Sequence, residues 1–234
     1  MKKSQYLYHY TSIETLELIL KNKTIRFNSL DNVDDKEEKF TEDLSDFGKY
    51  IFVSCWSPDY EENEELWKLY GRNGEGVRIK MYKYPFKKYY ISGENVRKPY
   101  WSYNDEVFKD NYSVLLFGCK DPTHSMLKEV KYTEDESLIF PKLTYANEDN
   151  INVMINKVGL YKRKQWSNQR EWRYSFPILP ISKEQLLFGD KEYLISIIGS
   201  SFLLLIILIK YSLSPNRSCS LLIGSIGKLY LHSL

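Results

Sequence analysis

The chain has 234 residues, 43% hydrophobic and 27% charged, a globular composition that excludes an intrinsically disordered one. Its net charge is only +2, so no overall field draws it onto nucleic acid. The cysteines Cys55, Cys119 and Cys219 are odd in number and widely spaced, with no CxxC pair and no metal-ligand spacing to His9, His124 and His232, which argues against both a disulfide framework and a metal site.

The length suits one domain, or one domain with an appendage. Tyrosine is common, at 20 residues. Its apolar body and polar tip suit half-buried strands and shallow ligand grooves; the same excess also fits the compositional bias of a low-GC genome. The N-terminus, Met-Lys-Lys, passes at once to polar and strand-like residues. It lacks the apolar core of a signal peptide, so a cytoplasmic location is expected.

Residues 6–10, Tyr-Leu-Tyr-His-Tyr, read as a short aromatic strand. Thr11-Ser12-Ile13-Glu14 is a Thr-x-x-Glu capping box that starts a helix. Ile13, Leu16, Ile19 and Leu20 share one face of that helix, and Asn22 is an apt end because it tolerates the left-handed conformation. Residues 24–28 are read as the next strand. The result is a strand–helix–strand unit with His9 at the exit of its first strand. Residues 31–49 are acidic and polar, a loop or lid with weak helical character.

A buried strand follows at Ile51–Trp56, broken by Ser57-Pro58-Asp59. Residues 61–70 read as a helix, 71–76 as a glycine-rich turn and 77–81 as a strand. Residues 82–125 are expected to form irregular strands and loops. Residues 130–132 read as a short strand, 151–164 as a helix, and 169–176 as a strand with a charged start and an apolar end. Residues 193–209 carry no charge and are dominated by Ile and Leu. The run sits at the lower edge of the roughly 17–25 residues that span a bilayer. It is open to three readings: a core segment, a C-terminal membrane anchor, or a divergent or out-of-frame terminus. The chain therefore divides into a domain at 1–192 and a hydrophobic tail at 193–234.

Three constellations carry chemistry. His9, flanked by Tyr8, Tyr10 and Thr11, can point a ring nitrogen into a groove at the strand end; a satisfied structural histidine is the plainer alternative. Gln169 and Glu171, with Arg173 and the cations Lys162 to Lys164 nearby, suit a clamp on a ribose hydroxyl. A carboxylate there also stabilises a developing oxocarbenium cation; the plainer alternative is a charged edge strand. Ser54 and Ser57 offer hydroxyls at a strand end, and Trp67 and Tyr70 are helix neighbours of which one can stack on a flat ring. Cys55 inside an apolar strand gives little support to a Cys–His hydrolase, since buried thiols are usually inert.

Residues 7–29, "LYHYTSIETLELILKNKTIRFNS", resemble the opening of DNA-targeting ADP-ribosyltransferase toxins and RNA 2′-phosphotransferases. Across residues 6–189 the chain resembles the bacterial domain-of-unknown-function 2971 family, through "YHYTS", "FVSCWS", "NEELWKLYG", "GEGVRIKM", "QREWRY" and "QLLFGD". The resemblance implies an α+β, ADP-ribosyltransferase-like split sheet, mixed or antiparallel, with flanking helices. It implies NAD as substrate and a macromolecular acceptor, protein or nucleic acid, or water in an NAD glycohydrolase, in a toxin or phage-defence setting, with an antitoxin as a further partner.

By the same resemblance His9 binds a ribose hydroxyl, supported by Tyr10 and Thr11. Ser54 or Ser57 contacts the nicotinamide end, and Tyr70, with Trp67 as its neighbour, supplies the stacking ring. Glu171 is the catalytic glutamate, Gln169 orients the acceptor and Arg173 is a neighbouring cation. The middle motif departs from a clear Ser-Thr-Ser, and the tail beyond Asp190 departs from the family's polar helix and final strand. His9 and Glu171 must then face one groove between two halves of a split sheet, with Gln169 and Arg173 on the strand face of Glu171. A non-catalytic nucleotide- or partner-binding module on the same fold is the alternative.

Overall fold

The computed structural model describes residues 5–45, 47–71, 75–86, 89–91, 100–102, 113–117, 126–146, 151–179 and 221–224. β1 (Tyr6–Thr11) leads into α1 (Ile13–Asn22). The helix cap is Ser12 and not Thr11: the Ser12 hydroxyl accepts from the Thr15 amide at 3.2 Å. Thr11 is unavailable because it is the last residue of β1, opposite Val77. Asn22 does end the helix, but the left-handed residue is Lys23, at φ 51°. The apolar face expected of α1 is not core: none of its residues is buried, Ile13 and Leu20 are exposed, and Ile19 faces a cavity.

The strand expected at 24–28 shrinks to β2 (Asn28–Ser29). The acidic stretch folds as three 3-10 turns, Leu30–Asn32, Lys36–Lys39 and Phe47–Tyr50. β3 (Ile51–Trp56) follows, then α2 (Glu64–Tyr70), capped by the Asn63 side chain accepting from the Glu65 and Leu66 amides. β4 (Val77–Tyr82) pairs antiparallel with β1 along its length. Gly76 sits against the Thr11 carbonyl, where a Cβ would lie 2.6 Å from that oxygen. Only glycine allows so close a backbone approach at the site where β1 ends.

Further strands are β5 (Tyr89–Ile91), β6 (Tyr100–Ser102), β7 (Ser113–Phe117), β8 (Leu127–Glu129), β9 (Lys131–Thr133), β10 (Thr144–Ala146), β11 (Ile151–Val153), β12 (Tyr161–Arg163), β13 (Trp172–Leu179) and β14 (Leu221–Gly224). The main sheet runs β14-β7-β13-β3-β2, with β8 also on β13. β13 is its centre, pairing antiparallel with β3, β7 and β8. β12 pairs with β9 in parallel. The architecture is α+β with mostly antiparallel pairing. The β1–β4 ribbon is a separate sheet, joined to the end of β3 by reciprocal backbone bonds between Tyr8 and Ser57, 2.8 and 2.7 Å.

Two expectations are overturned. Residues 151–164 are not a helix but β11, a 3-10 turn at Ile155–Lys157 and β12. Gly159, at φ +64°, breaks any helix there, and long-range pairing of β12 with β9 takes the rest. Gln169 is not on a strand: it ends the 3-10 turn Lys164–Gln169, and Arg170, left-handed at φ 43°, swings the chain into β13. The tail at 193–209 lies outside the described residues. Among the described residues no helix is long and apolar enough to cross a membrane.

A core cluster fastens the ribbon to the sheet. Leu7 from β1 meets Trp56 from β3, Tyr174 from β13 and Leu127 from β8, with Ile25 and Phe86 closing the sides. Burying each such large apolar side chain contributes about 1.5–3 kcal/mol. Strand alternation puts His9 on the same side of β1 as Leu7, and its ring rests on Trp56 at a centroid distance of 5.0 Å. On the other side, the Arg78 guanidinium lies 3.9 Å from the Tyr8 ring centre and 5.4 Å from that of Tyr10. The tyrosines of the opening strand are thus covered by a cation–π contact rather than left bare.

Candidate functional site

Where the ribbon diverges from β3 and β13, a cavity of about 500 Å³ opens, within the roughly 300–1,000 Å³ of small-molecule pockets. α1, the turn at 30–34, α2 and the approach to β13 complete its wall. His9, Tyr10, Thr11, Ser57, Tyr70, Gln169, Glu171 and Arg173 all lie on that wall. Residues more than 150 positions apart in the chain therefore meet at one opening between the two sheets.

The His9 tautomer follows from its partner. Nδ1 lies 2.8 Å from the Cys55 carbonyl oxygen, which only accepts, so Nδ1 carries the proton. Burial pushes the ring's pKa below its usual 6.5, and the bond to Cys55 offsets this only in part. The ring is therefore neutral at pH 7, and Nε2 keeps a lone pair. His9 is an acceptor for a ligand hydroxyl. Tyr10 beside it is fixed through its own hydroxyl, which accepts from the Asn63 amide at 2.9 Å.

Glu171 enters through the Arg170 turn and is anchored by its backbone: its amide donates to the Tyr132 hydroxyl at 2.8 Å, and its carbonyl accepts from Val130 at 2.9 Å. Its carboxylate is held from two sides. Arg173 Nε donates to Oε1 at 2.7 Å and Lys162 Nζ to Oε2 at 2.9 Å. Both cations also meet Glu38 from the acidic segment. Lys162 Nζ lies 3.1 Å from Glu38 Oε1, and Arg173 pairs with Glu38 Oε2 while donating to the Gly159 carbonyl at 3.0 Å.

All four side chains are 5% exposed or less. A lone charge this deep would cost several kcal/mol, but here two carboxylates face two cations and the formal charges cancel. Burial alone would raise the Glu171 pKa; Arg173 and then Lys162 outweigh it and hold the group down at about 2. Glu38 goes the other way, because burial exceeds the pull of Arg173 and Lys162. Cys55 shares the wall, and its thiol is pushed well up by burial and by the negative charge of Glu171. A thiol held in that form is a poor nucleophile, against a Cys–His hydrolase.

The remaining expected residues divide. Gln169 is buried, with Oε1 turned to Lys162 at 3.2 Å and Nε2 without a hydrogen-bond partner among the described residues. Tyr70 stands on the rim, 38% exposed, with its hydroxyl donating to Asp34 at 2.6 Å. Burial and then that bond raise the phenol's pKa, so it stays protonated. The Ser57 hydroxyl accepts from the Asp59 amide at 3.3 Å. Ser54 and Trp67 are not on the wall. Ser54 is buried and accepts from the Trp56 indole at 3.0 Å, while Trp67 packs edge-on against Tyr10 and donates to Glu62. A ligand role for these two has no geometric support.

Glu38, Asp34 and Arg26 were missed in the sequence. Glu38 and Asp34 lie in an acidic stretch where neighbouring acids look alike, and nothing local separates the buried one from the solvated ones. Compared with known proteins, the chain matches no family model, no curated protein and no solved structure.

Proposed function

We propose that the cavity binds NAD and that the chain transfers its ADP-ribosyl group to a protein or nucleic-acid acceptor, or to water, as a toxin or phage-defence effector of the ADP-ribosyltransferase-like kind. The observation that carries this reading is the convergence of His9, Glu171 and Gln169 on one cavity at the split between two sheets. His9 accepts from a ribose hydroxyl. Tyr70, on the rim, stacks on the flat nicotinamide or adenine ring, and Ser57 contacts the carboxamide end. The bond between C1′ of the ribose and the nicotinamide nitrogen breaks, and nicotinamide leaves with the electron pair. The acceptor's lone pair then bonds to C1′, and the acceptor loses its proton. Glu171 stabilises the oxocarbenium character that develops at C1′, with Lys162 and Arg173 fixing the carboxylate.

Nicotinamide release from NAD by the purified chain tests this directly, compared with Glu171→Gln. That variant is expected to lose a factor of roughly 10²–10³ in turnover, the scale of one electrostatic stabiliser, with NAD affinity little changed. Its unfolding transition must match a folded protein, because the substitution also alters the buried quartet. Unchanged release removes Glu171 from catalysis.

A specific feature favours a second reading, a non-catalytic nucleotide-binding module. Both Glu171 oxygens are already held by cations, so the carboxylate offers less net negative charge to a cationic centre. Wild-type protein that binds NAD and releases no nicotinamide establishes that reading instead.

A further inference from the structure

We infer that Arg26, with Asn28 beside it, forms an anion subsite of the cavity that takes the diphosphate of a bound nucleotide; the identity of that nucleotide as NAD rests on the function proposed above. Three cations stand on the cavity wall: Arg26, Lys162 and Arg173. Two are already neutralised, since Lys162 and Arg173 share Glu38 and Glu171. Arg26 is exposed and has no hydrogen bond or ion pair with any described residue.

Among the described residues no acid of the 31–38 segment pairs with Arg26. Asp31 is held by Lys39 at 2.6 Å, and Asp34 accepts from Tyr70 at 2.6 Å. Asp35 caps the Glu37 amide at 3.1 Å, Glu37 pairs with Arg163 at 2.6 Å, and Glu38 is buried in the quartet. Arg26 is thus the cavity-wall cation left open among the described residues, and Asn28, two positions on, adds an uncharged donor to the same wall.

A guanidinium binds two phosphate oxygens at once through parallel N–H donors. A diphosphate is acceptor-only at neutral pH and matches that fork. The buried wall near Glu171 has no such opening: its cations are charge-paired with Glu38 and Glu171, and a diphosphate placed there would meet those two carboxylates. The charge arrangement therefore orients a dinucleotide, with its diphosphate towards Arg26 and its ribose towards His9 and Glu171.

Calorimetric titration with ADP-ribose and with NAD tests the subsite in wild type, Arg26→Gln and Arg26→Lys. Arg26 is exposed, so both variants are expected to fold as the wild type does. Arg26→Gln is expected to weaken both ligands about 10-fold, the scale of one charge-assisted contact. Arg26→Lys should keep part of the affinity. Wild-type affinity should fall as salt is raised, and Arg26→Gln should lose much of that dependence. ADP-ribose and NAD bound equally by wild type and Arg26→Gln, or not bound by the wild type at all, overturns the subsite. Arg26-dependent ADP-ribose binding without nicotinamide release from NAD keeps the subsite and sinks the transfer reaction. Nicotinamide release with NAD affinity untouched by Arg26→Gln does the reverse.

Discussion

Glu38 and Arg173 form a wholly buried carboxylate–guanidinium pair that ties the acidic segment to the central strand across 135 positions of sequence. The same Arg173 holds the carboxylate of Glu171. One guanidinium thereby fixes both the acidic segment and the Glu171 carboxylate on the cavity wall, so the fold's stability and the site's geometry depend on the same four charges.

Removing Glu38 alone leaves Lys162, Arg173 and Glu171 with one uncompensated positive charge in the interior. Glu38→Ala is expected to destabilise the fold by about 3–5 kcal/mol, the cost of breaking a buried pair from one side. Removing a cation together with Glu38 restores neutrality. The double variant Glu38→Gln, Lys162→Met should cost less than the sum of its two single changes. Urea midpoints for the four proteins measure this, and strict additivity would refute the coupling.

His9 gives the fold a pH dependence whose sign is set by burial. Its pKa in the folded protein lies below 6.5, the value expected of the unfolded chain. Below that value the unfolded state takes up a proton that the folded state resists, so stability falls as the pH drops from 7 through 6.5 and levels off below the folded pKa. Glu171, held at about 2, loses its contribution only below its usual 4.5. Glu38, raised by burial, contributes the opposite slope where it titrates, so the histidine share between about pH 5 and 7 is the difference between wild type and the His9 variant. His9→Gln should flatten the fall in urea midpoint across that window; an unchanged slope would assign it to another group.

Tyr70 carries two separable roles, a ring face at the rim and a hydroxyl bound to Asp34. Tyr70→Phe keeps the ring and should leave NAD affinity within about threefold of the wild type, since the lost bond is partly solvent-exposed. Tyr70→Ala removes the stacking surface and should weaken NAD binding about 10-fold or more, the scale of one ring–base stack. Equal affinities for the Phe and Ala variants in fluorescence or calorimetric titrations would show that no ring stacks there.

The elements legible in the sequence were those with a local cause. β1, α1, β3, α2 and β4 each carry a periodicity, a cap or a glycine turn within a few residues, and each forms within a residue or three of its expected bounds. Residues 151–164 failed because their apolar spacing fits a helix while Gly159 and the distant β9 decide otherwise. Gln169 failed because a left-handed Arg170 has no sequence signature of the kind that Asn or Gly would give. At the site, the meeting of His9 with Glu171 was expected through resemblance, whereas Glu38 was invisible. Its burial is dictated by Lys162 and Arg173, far along the chain, and a local reading of an acidic run predicts solvation.

Among the described residues the β1–β4 ribbon, paired along its whole length, meets the backbone of residues 51–57 through the reciprocal bonds of Tyr8 with Ser57 and through His9 Nδ1 on the Cys55 carbonyl. Beyond these few backbone bonds, Leu7 and Met81 fasten the ribbon by packing in the core cluster. Parting the ribbon from the sheet frees the Tyr8 and Ser57 amides while the ribbon's own ladder with β4 stays intact. Their hydrogen exchange then reports the opening of the cleft separately from unfolding of the core.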